Sequence, residues 1–285
     1  MKRLWMLFLL TLLLLSACSN SEETTGNQEN PAETETDQEE TVESEEENPE
    51  AVKEGEEVEE KAQPSEPHYE INRDSWSLTP MVESANEEVV LLTIDDAPDT
   101  YAVEMANTLK ENNAKAIFFV NGHFLDTDEE KEMLKEIHDL GFPIGNHTFS
   151  HAKLPELTKE EQREEILELN DHIEGIIGER PRFFRAPHGM NTAYANQVAE
   201  EEGMLVMNWT YGYDYFEPYK DAEKLEQAMV SGEGPEVDVP YSLLQPGAIL
   251  LMHDREWTAE ALADIVGGLR EEGYEIADPE EVSID

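Results

Sequence analysis

Seven apolar runs of strand length recur between residues 89 and 277, at 89–94, 115–120, 143–147, 183–186, 205–209, 248–253 and 275–277. Every interval between them has room for a helix. This alternation constrains the fold more than any other feature of the chain. Strands joined by helical crossovers pair in parallel, because the helix returns the chain to the end of the sheet from which it left. The expected class is therefore α/β, with about seven parallel strands in a sheet that is open or closed into a barrel.

Helices are expected at 101–111, 127–140, 158–177, 191–202, 221–230 and 258–272. Two of them carry a start signal in their side chains. Thr127 with Glu130, and Thr158 with Glu161, have the spacing of a capping box. After the second box, Ile166, Leu169, Ile173 and the pair Ile176 and Ile177 follow at steps of three and four, which gathers them on one helix face. Residues 68–88 show no such pattern and read as an irregular lead-in. There is no internal repeat and no glycine-rich phosphate loop.

Two segments of different chemistry precede the alternating part. Lys2 and Arg3 lead into an apolar run at 4–15, too short for the roughly 20 residues that span a bilayer. Residues 1–17 thus read as a secretory signal. Leu15, Ser16 and Ala17 then lead into Cys18, and this stretch resembles the lipobox of bacterial lipoproteins, where cleavage leaves the cysteine N-terminal and lipid-modified. The expected location is extracytoplasmic, anchored to the bacterial cell membrane through the lipid on Cys18 alone. Residues 18–67 hold almost no large apolar side chain, so they cannot offset the entropy of ordering and form a disordered acidic tether. Its flexible reach is about 35–42 Å. Residues 68–285 make the folded domain.

The chain carries 67 acidic against 19 basic residues, a formal net charge of -48. Of this, residues 19–67 hold -17 and residues 68–285 hold -33. Such a balance excludes nucleic acid as a partner and electrostatic docking onto anionic lipid, both of which need basic patches. Dense carboxylates that keep a protein hydrated point to a saline or alkaline habitat. Cys18 is the only cysteine. That excludes an intrachain disulfide and a cysteine-rich zinc site, so a metal would sit on His, Asp or Glu.

Polar residues gather where the apolar runs end, which in parallel α/β folds is where sites assemble. The first run ends in Asp95 and Asp96, two adjacent carboxylates that repel unless a cation or an arginine engages them. Their alternative use is capping the next helix, the role expected for Asp99 and Thr100. The third run leads into His147 and His151, whose imidazoles converge on one cation if the turn between them is helical. Arg185 and His253 each end an apolar run, and either would be an expensive burial without partners nearby.

Taken in order, Thr93-x-Asp95-Asp96-x-Pro98, His147-Thr148-x-x-His151, Arg185-x-Pro187-x-Gly189 and Leu251-x-His253 resemble the motifs of the polysaccharide deacetylases of carbohydrate esterase family 4, the NodB homology domain. Residues 116–120 also resemble the second strand of that family, and the likeness runs over roughly 85–280. It implies a distorted (β/α) barrel and a metal-dependent N-deacetylase. Asp96, His147 and His151 would bind a divalent metal, zinc first, with cobalt, nickel or manganese as alternatives. Asp95 would be the general base, oriented by Arg185, and His253 the general acid, tuned by Asp214. The backbone N–H of His188 would help to hold the oxyanion, Leu251 would receive the acetate methyl, and Tyr215 would contact sugar. The substrate implied is an N-acetylated polysaccharide or oligosaccharide, with peptidoglycan the best fit for a surface-anchored enzyme acting as a monomer.

Three positions depart from the family pattern. Ala97 replaces a glycine, and its methyl either crowds the sugar or shifts the loop. His188 replaces an aromatic residue. In the fourth motif, Asp-x-x-Asp-Trp, Tyr211 stands where the first Asp is expected while Asp214 keeps the second. The cluster Trp209, Tyr211, Tyr213, Tyr215, Phe216 and Tyr219 offers faces for sugar stacking, with Trp209 the member expected in the core. These departures leave two other readings open: an amidohydrolase acting on a small non-sugar amide, or a catalytically weak, lipid-anchored carbohydrate-binding protein.

Overall fold

The structure is a computed structural model and describes residues 66–284. The expected signal segment, Cys18 and nearly all of the tether lie outside the described residues. Among the described residues no helix is long and apolar enough to cross a membrane.

The strands are β1 (Tyr69–Asn72), β2 (Ser77–Pro80), β3 (Val89–Ala97), β4 (Ala116–Val120), β5 (Ile144–Asn146), β6 (Phe183–Phe184), β7 (Leu205–Val206), β8 (Ala248–His253) and β9 (Glu275–Ile276). The helices are α1 (Ala102–Glu111), α2 (Asp128–Asp139), α3 (Lys159–Ile177), α4 (Ala193–Glu201), α5 (Ala222–Ser231) and α6 (Glu256–Glu271). All seven expected strands are present. The row β8–β3–β4–β5–β6–β7 is parallel throughout, and β9 pairs in parallel with the first two residues of β3.

Beyond β7 the chain turns back to β8. Thr210 donates its N–H to the Ile249 carbonyl at 2.8 Å, and Leu251 donates to the Tyr211 carbonyl at 2.8 Å. This one parallel bridge, Tyr211 to Leu250, curls the sheet into a distorted barrel. The same crossing explains why β7 stops at Val206 and not at 209: the chain must leave β6 to reach β8.

Alternation along the strands divides the core into two layers. Leu91, Ile117, Phe119, Phe183, Met207 and Ile249 fill the barrel interior. Their neighbours Val90, Leu92, Ile94, Phe118 and Val120 face the helices. Both expected capping boxes form, at Thr127–Glu130 and Thr158–Glu161, and Ile166, Leu169 and Ile173 are the buried face of α3.

Residues 68–88 are irregular only in part: 69–80 hold two strands, and 81–88 are turns and bends. β1 and β2 form an antiparallel pair whose inner member, β2, joins the sheet through Ser77 and Ala248. Each has only four residues, too few for a visible alternation. Their turn is made locally, with the Asn72 side chain accepting the N–H groups of Asp74 and Ser75.

Candidate active site

The site lies at the carboxyl ends of β3, β5, β6 and β8. Asp95 is the register partner of His253 on the neighbouring strand. Past Ile94 the pairing with β4 slips, with three residues of β3 spanning the step that two residues of β4 cover. Asp96, at φ 62°, absorbs the extra residue. Such a bulge re-aims side chains, and it lets two consecutive carboxylates enter one cavity. The methyl of Ala97 goes the other way, fully buried in the outer core and clear of the cavity.

Arg185 is wholly buried at the floor of the site. Its Nη1 donates to Asp95 Oδ1 at 2.7 Å and to Thr93 Oγ1 at 2.8 Å, and its Nη2 donates to the Asn208 carbonyl at 2.9 Å. The guanidinium lies 4.3 Å above the Phe119 ring. Burial lowers its pKa and the Asp95 carboxylate opposes that shift. This pairing resolves the problem of an arginine among apolar neighbours.

Asp96, His147 and His151 present their ligand atoms within 4.8 Å of one another, the one such trio among the described residues. Asp96 Oδ1 is 3.4 Å from His151 Nε2 and 3.9 Å from His147 Nε2. Asp95 Oδ2 stands 3.5 Å from His147 Nε2. His147 Nδ1 lies 2.7 Å from the Arg185 carbonyl, which can only accept. The ring proton is therefore on Nδ1, and the Nε2 lone pair points into the trio. Burial, then the adjacent His147, drives the His151 pKa down to about 4. Burial lowers that of His147 as well. Burial works against ionised Asp96, but His253, His147, His151 and Arg255 together hold its pKa low. Two neutral imidazoles and one carboxylate at this spacing fit a borderline divalent cation such as zinc, with sides left open.

The turn from His147 to His151 is not helical, so the convergence of the two imidazoles does not arise from helical geometry. The imidazoles converge, with ring centroids 5.0 Å apart, because Thr148 (φ 67°) and His151 (φ 58°) are both left-handed. Side chains from outside impose this path. Asn121 Nδ2 donates to the His147 carbonyl at 2.7 Å, Asn146 Oδ1 accepts the Thr148 N–H at 2.8 Å, and the Glu165 carboxylate accepts the Ser150 N–H at 2.8 Å. His188 completes this wall at φ 59°, its ring 4.8 Å from that of His151. After it, Gly189 at φ 66° allows Trp209 to lie close, since a Cβ there would meet the indole at 2.9 Å.

The opposite wall is built on Asp214. This buried carboxylate accepts from His253 Nδ1 at 2.8 Å, from the His253 N–H at 2.6 Å and from Thr258 Oγ1 at 2.9 Å. Burial pulls the His253 pKa down, but the charge and hydrogen bond of Asp214 outweigh it and raise it to about 9. Tyr215 stands edge-on to His253 with centroids 5.7 Å apart. Tyr211 does not replace the missing carboxylate; it is buried and its hydroxyl donates to the Met229 carbonyl.

A cavity of about 610 Å³ joins both walls. It is lined by Asp95, Asp96, His147, His151, His188, Asp214, Tyr215, Leu251 and His253, and Arg185 lies beneath it. Trp209, Lys220, Arg255 and Trp257 also line it. Trp209 was expected in the core; it is half-buried and open to the cavity. Tyr211, Tyr213 and Tyr219 are core residues at 3% exposure or less, so of the expected stacking cluster Tyr215, 46% exposed, and Trp209 are the members that reach the cavity. Asp99 and Thr100 do not cap α1. Their N–H groups, with that of Tyr101, are instead accepted by the buried Asp254 carboxylate.

Residues 82–207 match the family model described as polysaccharide deacetylase. A peptidoglycan-N-acetylglucosamine deacetylase of Bacillus cereus is 31% identical over 196 residues, 66% of this chain and 68% of that protein. A peptidoglycan-N-acetylmuramic acid deacetylase of Bacillus subtilis is 26% identical over 197 residues, 67% of this chain and 70% of that one. Among solved structures, a family 4 carbohydrate esterase pseudoenzyme from Bacillus anthracis superposes with a TM-score of 0.60 at 28% identity, over 70% of this chain and 66% of that one. A mutant of it with restored activity gives a TM-score of 0.60 at 29% identity, over 70% and 68%. Active and inactive relatives share this fold, so any argument for catalysis rests on the side chains.

Proposed function

Because this chain belongs to the polysaccharide deacetylase family, we propose that it hydrolyses the acetamide of N-acetylated amino sugars in an extracytoplasmic polysaccharide, peptidoglycan first, releasing acetate. The observation that carries this reading is the opposition across one cavity of a metal-fitting trio with a buried carboxylate beside it, and an imidazole held protonated by Asp214. A site that only binds sugar needs neither of the last two groups.

A divalent cation held by Asp96, His147 and His151, zinc by the chemistry of the donors, supplies polarisation of the acetamide carbonyl and acidification of water. Asp95, oriented by Arg185, takes a proton from the water whose oxygen adds to the carbonyl carbon. The His188 backbone N–H donates to the oxyanion that forms. His253 gives its proton to the amine nitrogen as the carbon–nitrogen bond breaks, and the products are acetate and a free amino sugar. Leu251 packs the methyl, and Tyr215, Trp209 and Trp257 offer aromatic faces to the sugar rings. The protein acts as a monomer, attached to the membrane through a lipid on Cys18.

The test is acetate release by the purified full chain, stripped of metal and reloaded with zinc, cobalt or manganese, from N-acetylglucosamine oligomers and from peptidoglycan. Metal-dependent release that disappears in Asp95→Asn, while zinc stays bound, supports the reading. Tight zinc binding with no release from either substrate overturns it in favour of a carbohydrate-binding protein or an amidohydrolase with a different substrate.

A further inference from the structure

Arg255 takes no part in the reaction as set out above, yet it reaches the centre of the site. It follows His253 and Asp254 where β8 ends and immediately precedes α6. Its Nη2 lies 2.6 Å from Asp96 Oδ2. Its Nη1 donates to the Asp254 carbonyl at 2.7 Å and stands 3.7 Å from Asp99 Oδ2. The guanidinium is thus tied to its own backbone at one nitrogen and to Asp96 at the other.

The backbone beneath it is equally fixed. The carboxylate of Asp254 is buried with both oxygens in use: one accepts the N–H groups of Asp99 and Thr100 at 2.7 and 3.1 Å, the other that of Tyr101 at 2.6 Å. Asp254 and Arg255 therefore cross-brace the loop after β8 to the loop after β3. The aim of the guanidinium at Asp96 is set by this brace and not by a free surface side chain.

The two oxygens of Asp96 are consequently divided. Oδ1 faces the imidazoles of His147 and His151, and Oδ2 faces the arginine. A carboxylate with both oxygens free can grip one cation through both and so occupy an additional coordination position. In a site with three protein ligands, that extra position is one that water or a carbonyl oxygen needs. Partners outside the ligand set commonly orient ligands in this way.

We propose that Arg255 is a positioning residue that keeps Asp96 a one-oxygen ligand, so that the remaining positions of the metal site stay open to water and to the acetamide carbonyl. This rests on the metal-site reading given above. The arginine works through Asp96 and needs no contact with substrate.

The experiment compares the full chain with Arg255→Gln and Arg255→Lys. Zinc affinity is measured by competition with a chelator, and coordination by the visible spectrum of the cobalt(II)-loaded protein, where a higher coordination number weakens absorption. Arg255→Gln is expected to escape the roughly 10–100-fold loss in metal affinity or activity that removal of an orienting partner brings, as far as zinc binding is concerned, and to show it in kcat with KM unchanged. Its cobalt absorption weakens. Arg255→Lys, which restores a cation to Asp96 Oδ2, recovers the stronger absorption and part of kcat. An unchanged cobalt spectrum in a folded Arg255→Gln protein overturns the proposal. So does a parallel loss of zinc affinity and kcat, which would make the arginine a simple support for the ligand. Spectrum and affinity are read without substrate, so absence of acetate release in the unmodified chain counts against the deacetylase reading alone.

Discussion

The cavity has two walls, and the same side chain behaves oppositely on each. His147 and His151 are pushed toward the neutral form, while His253, also packed away from water, is pushed to a pKa of about 9. Burial opposes charge in all three. The partner decides the outcome: His147 Nδ1 meets an uncharged carbonyl, whose upward pull on the pKa does not outweigh burial, whereas His253 Nδ1 meets the Asp214 carboxylate, which does. The backbone differs as well. Asp96, Thr148, His151 and His188 are four of the seven described non-glycine residues with positive φ, and all four belong to the first wall. Each such residue costs on the order of 1–3 kcal/mol. Surrounding structure must over-determine them, and along the 147–151 turn the hydrogen bonds with Asn121, Asn146 and Glu165 do so. One wall is therefore made by strain held in place, the other by a single buried ion pair.

Breaking the first wall has the largest expected effect. His151→Gln should abolish both zinc uptake, followed by chelator competition, and acetate release, while the circular dichroism stays native because the His151 side chain is 26% exposed and not part of the core. Arg185→Met attacks the floor shared by both walls. It leaves Asp95 buried without its partner, and urea unfolding should show a loss of about 3–5 kcal/mol. If stability is retained, the pair does not hold the floor together.

Asp214→Asn converts the second wall toward the first. A pKa raised by a carboxylate keeps the proton to higher pH, so removing the charge moves the alkaline limb of kcat/KM downward, from about 9 toward the ordinary imidazole value. At pH 8 the protonated fraction then falls about thirtyfold, and the rate should fall with it. An alkaline limb that does not move would mean that a group other than His253 sets it. The smallest effect is expected at the rim: Tyr215→Ala should raise KM about two- to tenfold with kcat unchanged, the size of one aromatic contact.

Much of this was legible in the sequence, for identifiable reasons. Runs such as Val89–Ala97 and Ala248–His253 are buried on both faces and read as strands without ambiguity. The residues at their ends announced the site because polar groups there need partners. β1 and β2 escaped notice because four residues give no period and their turn is closed by a side chain. Arg255 and Trp257 were missed because their value lies in Asp96 and Asp214, 159 and 43 residues away. Their only local signal was position, directly after His253-Asp254 at a strand end. The tyrosines misled for a physical reason: Tyr211 and Tyr213 find carbonyl acceptors inside the fold and Tyr219 finds the Glu236 carboxylate at its edge, so a core place leaves no hydroxyl unpaired.

The single bridge from Tyr211 to Leu250 makes the ring of strands a hoop fastened by a clasp. The clasp is the same stretch of chain that goes on to carry Asp214 and Tyr215. Loosening it would shift the carboxylate beneath His253, whereas Asp96, at the bulge of β3, and His147 and His151, just past β5, belong to the part of the sheet joined through β4. Asp254 and Arg255 tie the ends of β8 and β3 together directly, so the seam bears on His253 through Asp214 and not on the position of Asp96.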